Sequence, residues 1–302
     1  MEEWPFYTDL LLFTMFLIAP RKKHNTGINI LDEDEKTEVI VLISKPPHIS
    51  VEEKIIQRLG NVKKPVVVCF IDNTEQKAKT NNIVFTSTLA QASQEALKKV
   101  GIHIEDTTAL NEDEIKSVSE ARAKLKPLQT KLKGLFCGGT LAAEALSIVR
   151  GRVREVTSNV AKKEHEKMTN VFTSSGNNLI DLGDDIFTQG RPHPMIDPTT
   201  RLERILIEAE NPETGVLLLD FVLGYGSHED PAGITLEALK KAKKIAESQG
   251  RYLPVVAYVC GTKNDKQNLT TQEEQLRDIG VIVARTNASA SLIAAEIIKE
   301  EL

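Results

Sequence analysis

From residue 38 onward, the chain alternates between short runs in which nearly every position is apolar and longer stretches with helical periodicity. Residues 38–44 and 64–72 are β-branched runs, and each is followed by a helix-like stretch, at residues 50–60 and 88–101. Ser50 is placed to cap the first of these helices and Gly60 to end it. Strands that are apolar on both faces and alternate with helices are typical of parallel sheets covered on both sides.

A second series of the same kind follows and runs almost to the end of the sequence. Its elements are predicted at residues 133–151 and 178–185, helix 199–210, strand 215–224, helix 235–250, strand 253–261, helix 270–280, strand 281–286 and helix 288–300. The fold class is therefore α/β, with two open, mainly parallel sheets.

The remaining stretches complete a division into four parts: a leader at 1–28, a first domain at 29–101, a linker at 102–131 and a second domain at 132–302. The leader contains the apolar run LLLFTMFLIA at residues 10–19, followed by RKK. Because about 20 apolar residues are needed to span a bilayer, we expect no membrane span there, although a membrane anchor and a packed tail both remain open. The linker is rich in Glu, Lys and Asp, which is typical of a solvated connector.

Composition narrows the classes of function. The chain is 41% hydrophobic and 27% charged, with a net charge of −5 and a sequence pI of about 5.8. These values indicate globular domains and argue against a nucleic-acid partner, which would require a basic surface. Cys69, Cys137 and Cys260 each follow an apolar run without metal-like spacing, so reduced, buried thiols in the cytoplasm are expected.

In open α/β sheets, ligands bind beyond the carboxyl ends of the strands, and three predicted turns carry unusual chemistry there. The first is Cys137-Gly138-Gly139-Thr140, where two glycines and a threonine connect a strand to an Ala-rich helix. Such a turn exposes backbone N–H groups to an anion, which predicts phosphate binding by Gly138, Gly139 and Thr140. A plain strand-to-helix turn capped by Thr140 is the equally open alternative.

The second turn, residues 180–205, concentrates charge in a stretch rich in glycine and proline. Arg191 and His193 lie among Pro192, Pro194 and Pro198, and proline gives a loop a fixed shape without regular structure. Arg191 is predicted to bind a substrate carboxylate, and His193 to transfer a proton or stabilise an oxyanion. We list the aspartates of this stretch as further substrate-binding candidates: Asp181, Asp184 and Asp185.

The third turn follows the apolar run at 215–224 and reads Gly224-Tyr225-Gly226-Ser227-His228. Gly224, Tyr225, Gly226 and His228 are candidates for substrate binding because glycine permits close approach of the backbone to a ligand. The structural alternative is a helix-capping turn in which Asp230 caps a helix that starts at Pro231.

No spacing of histidine and cysteine indicates a resident metal. The aspartates of the second turn have the oxygen ligands that Mg²⁺ prefers, but hydrogen-bonded structural carboxylates are the more economical interpretation.

These turns resemble a known family. GLFCGGTLAAEA, IDLGDDIFTQGRPHPMIDPTTR and VLLLDFVLGYGSHEDPAG are similar to the FdrA family, which is acyl-CoA-synthetase-like and related to succinyl-CoA synthetase. The resemblance runs from about residue 29 to the end. It implies flavodoxin-like, succinyl-CoA-synthetase-like domains: an α-type second domain at 29–101 and a β-type C-terminal domain at 132–302.

The sequence also departs from succinyl-CoA synthetase. The resemblance would place a phosphorylated histidine within residues 72–87, where this chain has none. A CoA-binding domain would precede residue 39, where only the apolar leader stands, and no ATP-grasp domain is present. These departures argue against self-contained acyl-CoA synthesis.

Three functions follow from the resemblance and its departures. The first is a component of a carbamoyl or acyl transferase, converting oxalurate and phosphate to oxamate and carbamoyl phosphate in allantoin degradation. The second is a subunit of an acyl-CoA ligase, and the third is a non-catalytic assembly or regulatory subunit. The partners expected are a small anionic substrate and other protein subunits. Phosphate would be a substrate, and CoA and Mg²⁺ remain open as cofactors.

Overall fold

The computed structural model describes residues 22–45, 47–72, 82–173 and 175–299. The predicted apolar run at 10–19 lies outside these residues. So does most of the segment at 72–87, where the family resemblance would place a phosphorylated histidine. The chain divides into two compact units, Met1–Thr108 and Ala109–Leu302.

The first unit is a three-stranded parallel sheet in the order β1-β2-β3. Its elements are α1 (Lys22–Glu33), β1 (Ile40–Ser44), α2 (Ile49–Leu59), β2 (Val66–Phe70), β3 (Ile83–Thr86) and α3 (Leu89–Lys99). Ile28 and Leu31 of α1 are buried in the core of this unit, so the described part of the predicted leader belongs to the domain. Helix α2 is capped by His48, whose side chain accepts the N–H of Ser50, and not by Ser50 as the sequence predicted.

The second unit contains a six-stranded, wholly parallel sheet. Its elements are α4 (Glu112–Arg122), β4 (Lys131–Phe136), α5 (Gly139–Val149), β5 (Val156–Ser158), a 3-10 turn (Glu164–Glu166), β6 (Asn177–Asp181), α6 (Asp185–Thr188), α7 (Thr199–Glu210), β7 (Thr214–Val222), α8 (Pro231–Ser248), β8 (Val255–Cys260), α9 (Leu269–Asp278), β9 (Ile282–Val283) and α10 (Asn287–Ile298).

The order of the strands, β5-β6-β4-β7-β8-β9, determines where loops meet. The connection after β4 leads to β5 on one side of the sheet, and the connection after β7 leads to β8 on the other side. The border between β4 and β7 is therefore a topological switch point. Helices α5 and α10 pack against each other, and α7, α8 and α9 form a second row of neighbouring helices. The predicted α/β class with two parallel sheets is confirmed.

The predicted linker is divided between the two units, because the boundary falls after Thr108. Helix α4 is not an isolated solvated helix. Its residues Val118 and Ala121 are buried, it packs against α10, and Glu114 forms a 2.8 Å ion pair with Arg285. The charged composition therefore predicted the wrong solvent exposure for this helix. Most of its charged residues lie on one face, and small apolar residues lie on the other.

A buried polar cluster lies near the amino end of β4, away from the predicted turns. The Lys133 ammonium is 0% exposed, donates to the Gly176 carbonyl over 2.6 Å and lies 4.0 Å from a carboxylate oxygen of Glu208. The same carboxylate forms a 2.7 Å ion pair with Arg204. Burial lowers the pKa of Lys133 to about 8, against the opposing effect of Glu208.

Among the described residues, no helix combines the length and the apolar character needed to cross a membrane.

Candidate functional site at the carboxyl edge of the second sheet

The three predicted turns follow β4, β6 and β7, which are adjacent strands in the sheet. Parallel strands end at the same edge, so the turn at Cys137–Gly138, the loop after Asp181 and the loop after Val222 lie side by side. This edge contains the switch point between β4 and β7, the place where open α/β sheets bind ligands.

The turn after β4 already holds an anion of the protein's own. Asp220, which is fully buried in β7, accepts the N–H of Cys137 over 2.7 Å and the N–H of Gly138 over 2.8 Å, one with each carboxylate oxygen. Burial raises the pKa of Asp220, while Arg201 and the two amides oppose this rise. The prediction that Gly138 binds phosphate is therefore corrected: its amide binds the carboxylate of Asp220.

Arg201, in the first turn of α7, completes this arrangement. Its side chain is 2% exposed and lies over the ring of Phe221 at 4.7 Å, and its Nη1 donates to the Asp220 main-chain carbonyl. The same nitrogen lies 3.7 Å from the Asp220 carboxylate. Arg201 and Asp220 thus form a buried ion pair that connects α7 to the sheet.

His193 lies against the backbone of Gly183 in its own turn, close to the Cys137 carbonyl at the end of β4. A Cβ atom built on Gly183 would lie 2.3 Å from His193 Nε2 and 2.9 Å from the Cys137 carbonyl oxygen. The Nδ1 atom accepts the N–H of Met195 over 3.2 Å, which makes Nε2 the protonated nitrogen of a neutral ring. Burial lowers the pKa of His193, so the neutral form is favoured.

The turn after β7 is attached to the His193 loop. The N–H of His228 donates to the Met195 carbonyl over 2.7 Å. Gln267 fixes the rest of the turn, because its side chain donates to the carbonyls of Gly224 and His228 and accepts the Gly224 N–H. Gly224 has φ +120, a conformation that favours glycine.

The three turns together enclose a narrow cleft of about 10 Å³, which is at the limit of the space one water molecule needs. Its walls come from the ends of β4 and β7, the proline-rich loop and the starts of α7 and α8. The lining residues are Cys137, Pro194, Met195, Pro198, Arg201, Val222, His228 and Pro231. The thiol of Cys137 stays protonated here, because burial raises its pKa to about 12.

Other predicted residues lie at this edge without entering the cleft. Arg191 is exposed, and its side chain has no hydrogen-bond partner among the described residues. Asp184 caps the short helix α6, Asp185 is exposed, and Asp181 accepts the N–H of Gly183 over 2.9 Å. Tyr225 is fully exposed.

Asp181 and Asp184 thus act as hydrogen-bonded structural carboxylates, the alternative noted above. No group of three or more His, Cys, Asp or Glu side chains that could hold a metal ion occurs within the described ranges. Asp230 caps α8 as the structural interpretation of the third turn proposed, since it accepts the Gly233 N–H and Pro231 begins the helix.

Sequence reasoning missed Arg201 and Asp220, the charged pair at the base of the site. A signal for Asp220 was present, because it interrupts the apolar run VLLLDFV, and charged residues are almost never fully buried unless paired. Its partner had no comparable signal, since Arg201 resembles any other polar residue in the first turn of a helix.

The contact between Gly183 and His193 makes a testable prediction. Gly183→Ala should lower the free energy of unfolding by about 1–3 kcal/mol, because the new methyl group meets His193 and the Cys137 carbonyl. Displacement of the ring should also return the pKa of His193 toward its ordinary value. Urea denaturation and a histidine NMR titration measure the two effects.

Gly226→Ala is the matched control, because nothing lies within 4 Å of a Cβ atom built there. A Gly183→Ala protein with wild-type stability and an unchanged His193 titration would contradict the proposed contact.

The comparison with protein families shows to which family the second unit is similar. The family model described as CoA-ligase matches residues 135–297, which is more than half of the chain and includes all three turns. The chain belongs to the CoA-ligase family. Its second unit carries the matched residues.

A relative extends the comparison to the first unit, and solved structures with lower similarity are found as well. YahF of Escherichia coli K12, a protein described as uncharacterised, is 42% identical over 274 residues, covering 90% of this chain and 53% of YahF. A dinucleotide-forming acetyl-coenzyme A synthetase of Ca. Korarchaeum cryptofilum, solved with phosphate and ADP, is 16% identical with a TM-score of 0.42, covering 90% of this chain and 55% of that one.

A third comparison is PH0766 of Pyrococcus horikoshii OT3, which is 13% identical with a TM-score of 0.35, covering 91% of this chain and 55% of that one. The chain thus spans about half the length of each of these proteins.

Proposed function

We propose that the chain is the component of an acyl-group-transferring enzyme of the CoA-ligase family that binds a small anionic substrate at the carboxyl edge of its second sheet. One observation carries this proposal: the turns after β4, β6 and β7 meet around a cleft whose base is the buried cation Arg201. A cleft at a switch point with a buried cation suits an anionic guest.

Within this proposal, His193, which lies beside the cleft and is not among its lining residues, stabilises the negative charge that develops in the reaction. Its Nδ1 accepts a backbone N–H, so Nε2 carries a proton that can be donated to a developing oxyanion. Arg191 is free to reach a substrate carboxylate from the solvent side. Gly139 and Thr140, in the first turn of α5, have the helix N–H groups with which phosphate would interact.

For the substrate, we propose carbamoyl transfer as the first reaction to test: phosphate attacks the carbamoyl carbon of oxalurate, oxamate leaves, and carbamoyl phosphate forms. The support is the resemblance of residues 181–201 to the FdrA family. The second candidate is formation of an acyl-CoA, which the CoA-ligase match over residues 135–297 favours. Either reaction would require other subunits, and the chain would contribute the cleft.

The experiment compares these reactions with the full-length chain purified together with its natural partners. Phosphate-dependent release of oxamate from oxalurate supports carbamoyl transfer, and CoA-dependent nucleotide hydrolysis supports the ligase. We expect His193→Gln to lower the active reaction about 100-fold or more, consistent with loss of one oxyanion donor. His165→Gln, a change at an exposed histidine, should leave it unchanged.

The same preparation tests the non-catalytic alternative. If the preparation shows neither activity and calorimetry detects no binding of phosphate, CoA or oxalurate, the proposal is overturned. The chain would then be an assembly subunit. A fully active His193→Gln protein would remove His193 from the mechanism.

A further inference from the structure

We infer that Arg201 binds the carboxylate of a small acid through the Nε–Nη2 edge of its guanidinium, and that Asp220 is its positioning residue. The substrate class rests on the proposed function. The choice of Arg201 instead of Arg191 rests on the hydrogen bonds, burial and position of the two side chains.

The hydrogen bonds of Arg201 leave one edge of the guanidinium unused. Nη1 donates to the Asp220 main-chain carbonyl, and among the described residues no acceptor takes a hydrogen bond from Nε or Nη2. Nε is fully buried, and a buried donor without a partner indicates a missing acceptor. The Nε–Nη2 edge is one of the two-donor edges with which arginine binds a carboxylate bidentately.

Asp220 does not fill this edge, although it is the nearest anion. Its two carboxylate oxygens accept the Cys137 and Gly138 amides, and the closest oxygen lies 3.7 Å from Nη1, beyond hydrogen-bond distance. Asp220 therefore neutralises the buried charge and fixes the guanidinium through its carbonyl. The Phe221 ring, whose centroid lies 4.7 Å from the guanidinium carbon, restricts the side chain further, so that little freedom is lost when a ligand binds.

The environment of Arg201 is suited to one planar anionic group. The other walls are apolar except for His228, and prolines 194, 198 and 231 supply no N–H that would compete for the ligand. In an apolar cleft, a charge-assisted pair is stronger than in water. Arg191 has none of these features, because it is exposed on the loop.

Entry of a carboxylate requires the cleft to widen, since its present volume of about 10 Å³ holds one water molecule at most. The cover consists of Pro194, Met195 and Pro198. Among the described residues, one hydrogen bond connects the 191–198 part of the loop to the turn after β7, from the His228 N–H to the Met195 carbonyl. Entry of a carboxylate would therefore break this bond and move Pro194, Met195 and Pro198 away from the guanidinium.

The direct test observes the Arg201 Nε–H in the wild-type chain by ¹H–¹⁵N NMR, identified by its contact with the Phe221 ring. Titration with oxamate, succinate and inorganic phosphate should move this resonance with the two carboxylates in a saturable way, and less with phosphate. If neither carboxylate shifts this resonance at concentrations of tens of millimolar, the Nε–Nη2 edge binds only water. The inference would then be overturned.

Matched variants complete the test. Arg201→Lys keeps the charge but loses the planar edge, and should weaken carboxylate binding about 10- to 100-fold. Arg277→Lys, a change at a surface arginine of α9 outside the site, should change it less than twofold. A larger loss of carboxylate binding in Arg191→Lys than in Arg201→Lys would assign the carboxylate to Arg191. If Arg201→Lys does not fold, the wild-type titration still decides.

The outcome is separable from that of the proposed function. Carboxylate binding at Arg201 by a chain without transferase or ligase activity would refute the function and keep the site. An active enzyme whose KM for the acid is unchanged in Arg201→Lys would keep the function and refute the site.

Discussion

Replacing Asp220 with alanine is expected to lower the free energy of unfolding by about 3–5 kcal/mol, the usual cost of removing one partner from a buried ion pair. Two effects combine. Arg201, at 2% exposure, loses its neutralising charge, and the Cys137 and Gly138 amides lose their acceptors. Urea denaturation at neutral pH measures the loss.

Two further variants separate these effects. Asp220→Asn keeps one acceptor for the amides but removes the charge, and should fall between wild type and Asp220→Ala. Asp185→Ala removes an exposed carboxylate from the same edge and should change stability by less than about 0.5 kcal/mol. If Asp220→Ala is as stable as Asp185→Ala, the buried pair does not organise the site.

The Asp220 arrangement also stabilises the shape of the turn after β4. The carboxylate gives two converging amides the acceptor that an external anion would otherwise supply. Phosphate, if it binds, must therefore use the amides of Gly139 and Thr140, beyond those that Asp220 occupies. The proposed phosphate contacts therefore differ from those of the usual glycine-rich loop, in which the amides of the turn itself bind the anion.

The fold was predictable because its signals are local. Runs such as VLLLDFV and PVVVCF are apolar at nearly every position, which distinguishes strands covered on both faces from those of a half-exposed sheet. The alternation with helices then limits the topology to parallel layers. The helix at 112–122 was misjudged, because its contact with α10 joins positions more than 160 residues apart.

The site was only partly predictable for the same reason. The sequence predicted three carboxyl-end turns, and His193 is a candidate by residue type, but the strand order that makes the turns neighbours is known only from the structure. The pairing of Arg201 with Asp220 depends on how α7 lies on the sheet, and no local pattern specifies it. Likewise, Gly183 gave no signal in sequence, because its small size is required by His193, ten residues later.

The buried Lys133 makes stability depend on pH in the alkaline range. Its folded pKa of about 8 lies below the ordinary lysine pKa of 10.5, so between these values the unfolded chain binds the proton and the folded chain does not. Stability from this group therefore rises with pH through that window, by about 2 kcal/mol between pH 8 and 9.5, and is lowest below pH 8. Urea denaturation at several pH values measures the slope.

Lys133→Met should lack this rise, because methionine fills similar space without a titrating group, although the Gly176 carbonyl then loses its donor. Lys116→Met is the matched control. Its ammonium is exposed, with 75% of the side chain accessible, so it should keep the wild-type slope. Parallel slopes for wild type and Lys133→Met would show that Lys133 keeps its proton in the folded state. In that case Glu208 compensates for the desolvation of Lys133 as well as pairing with Arg204.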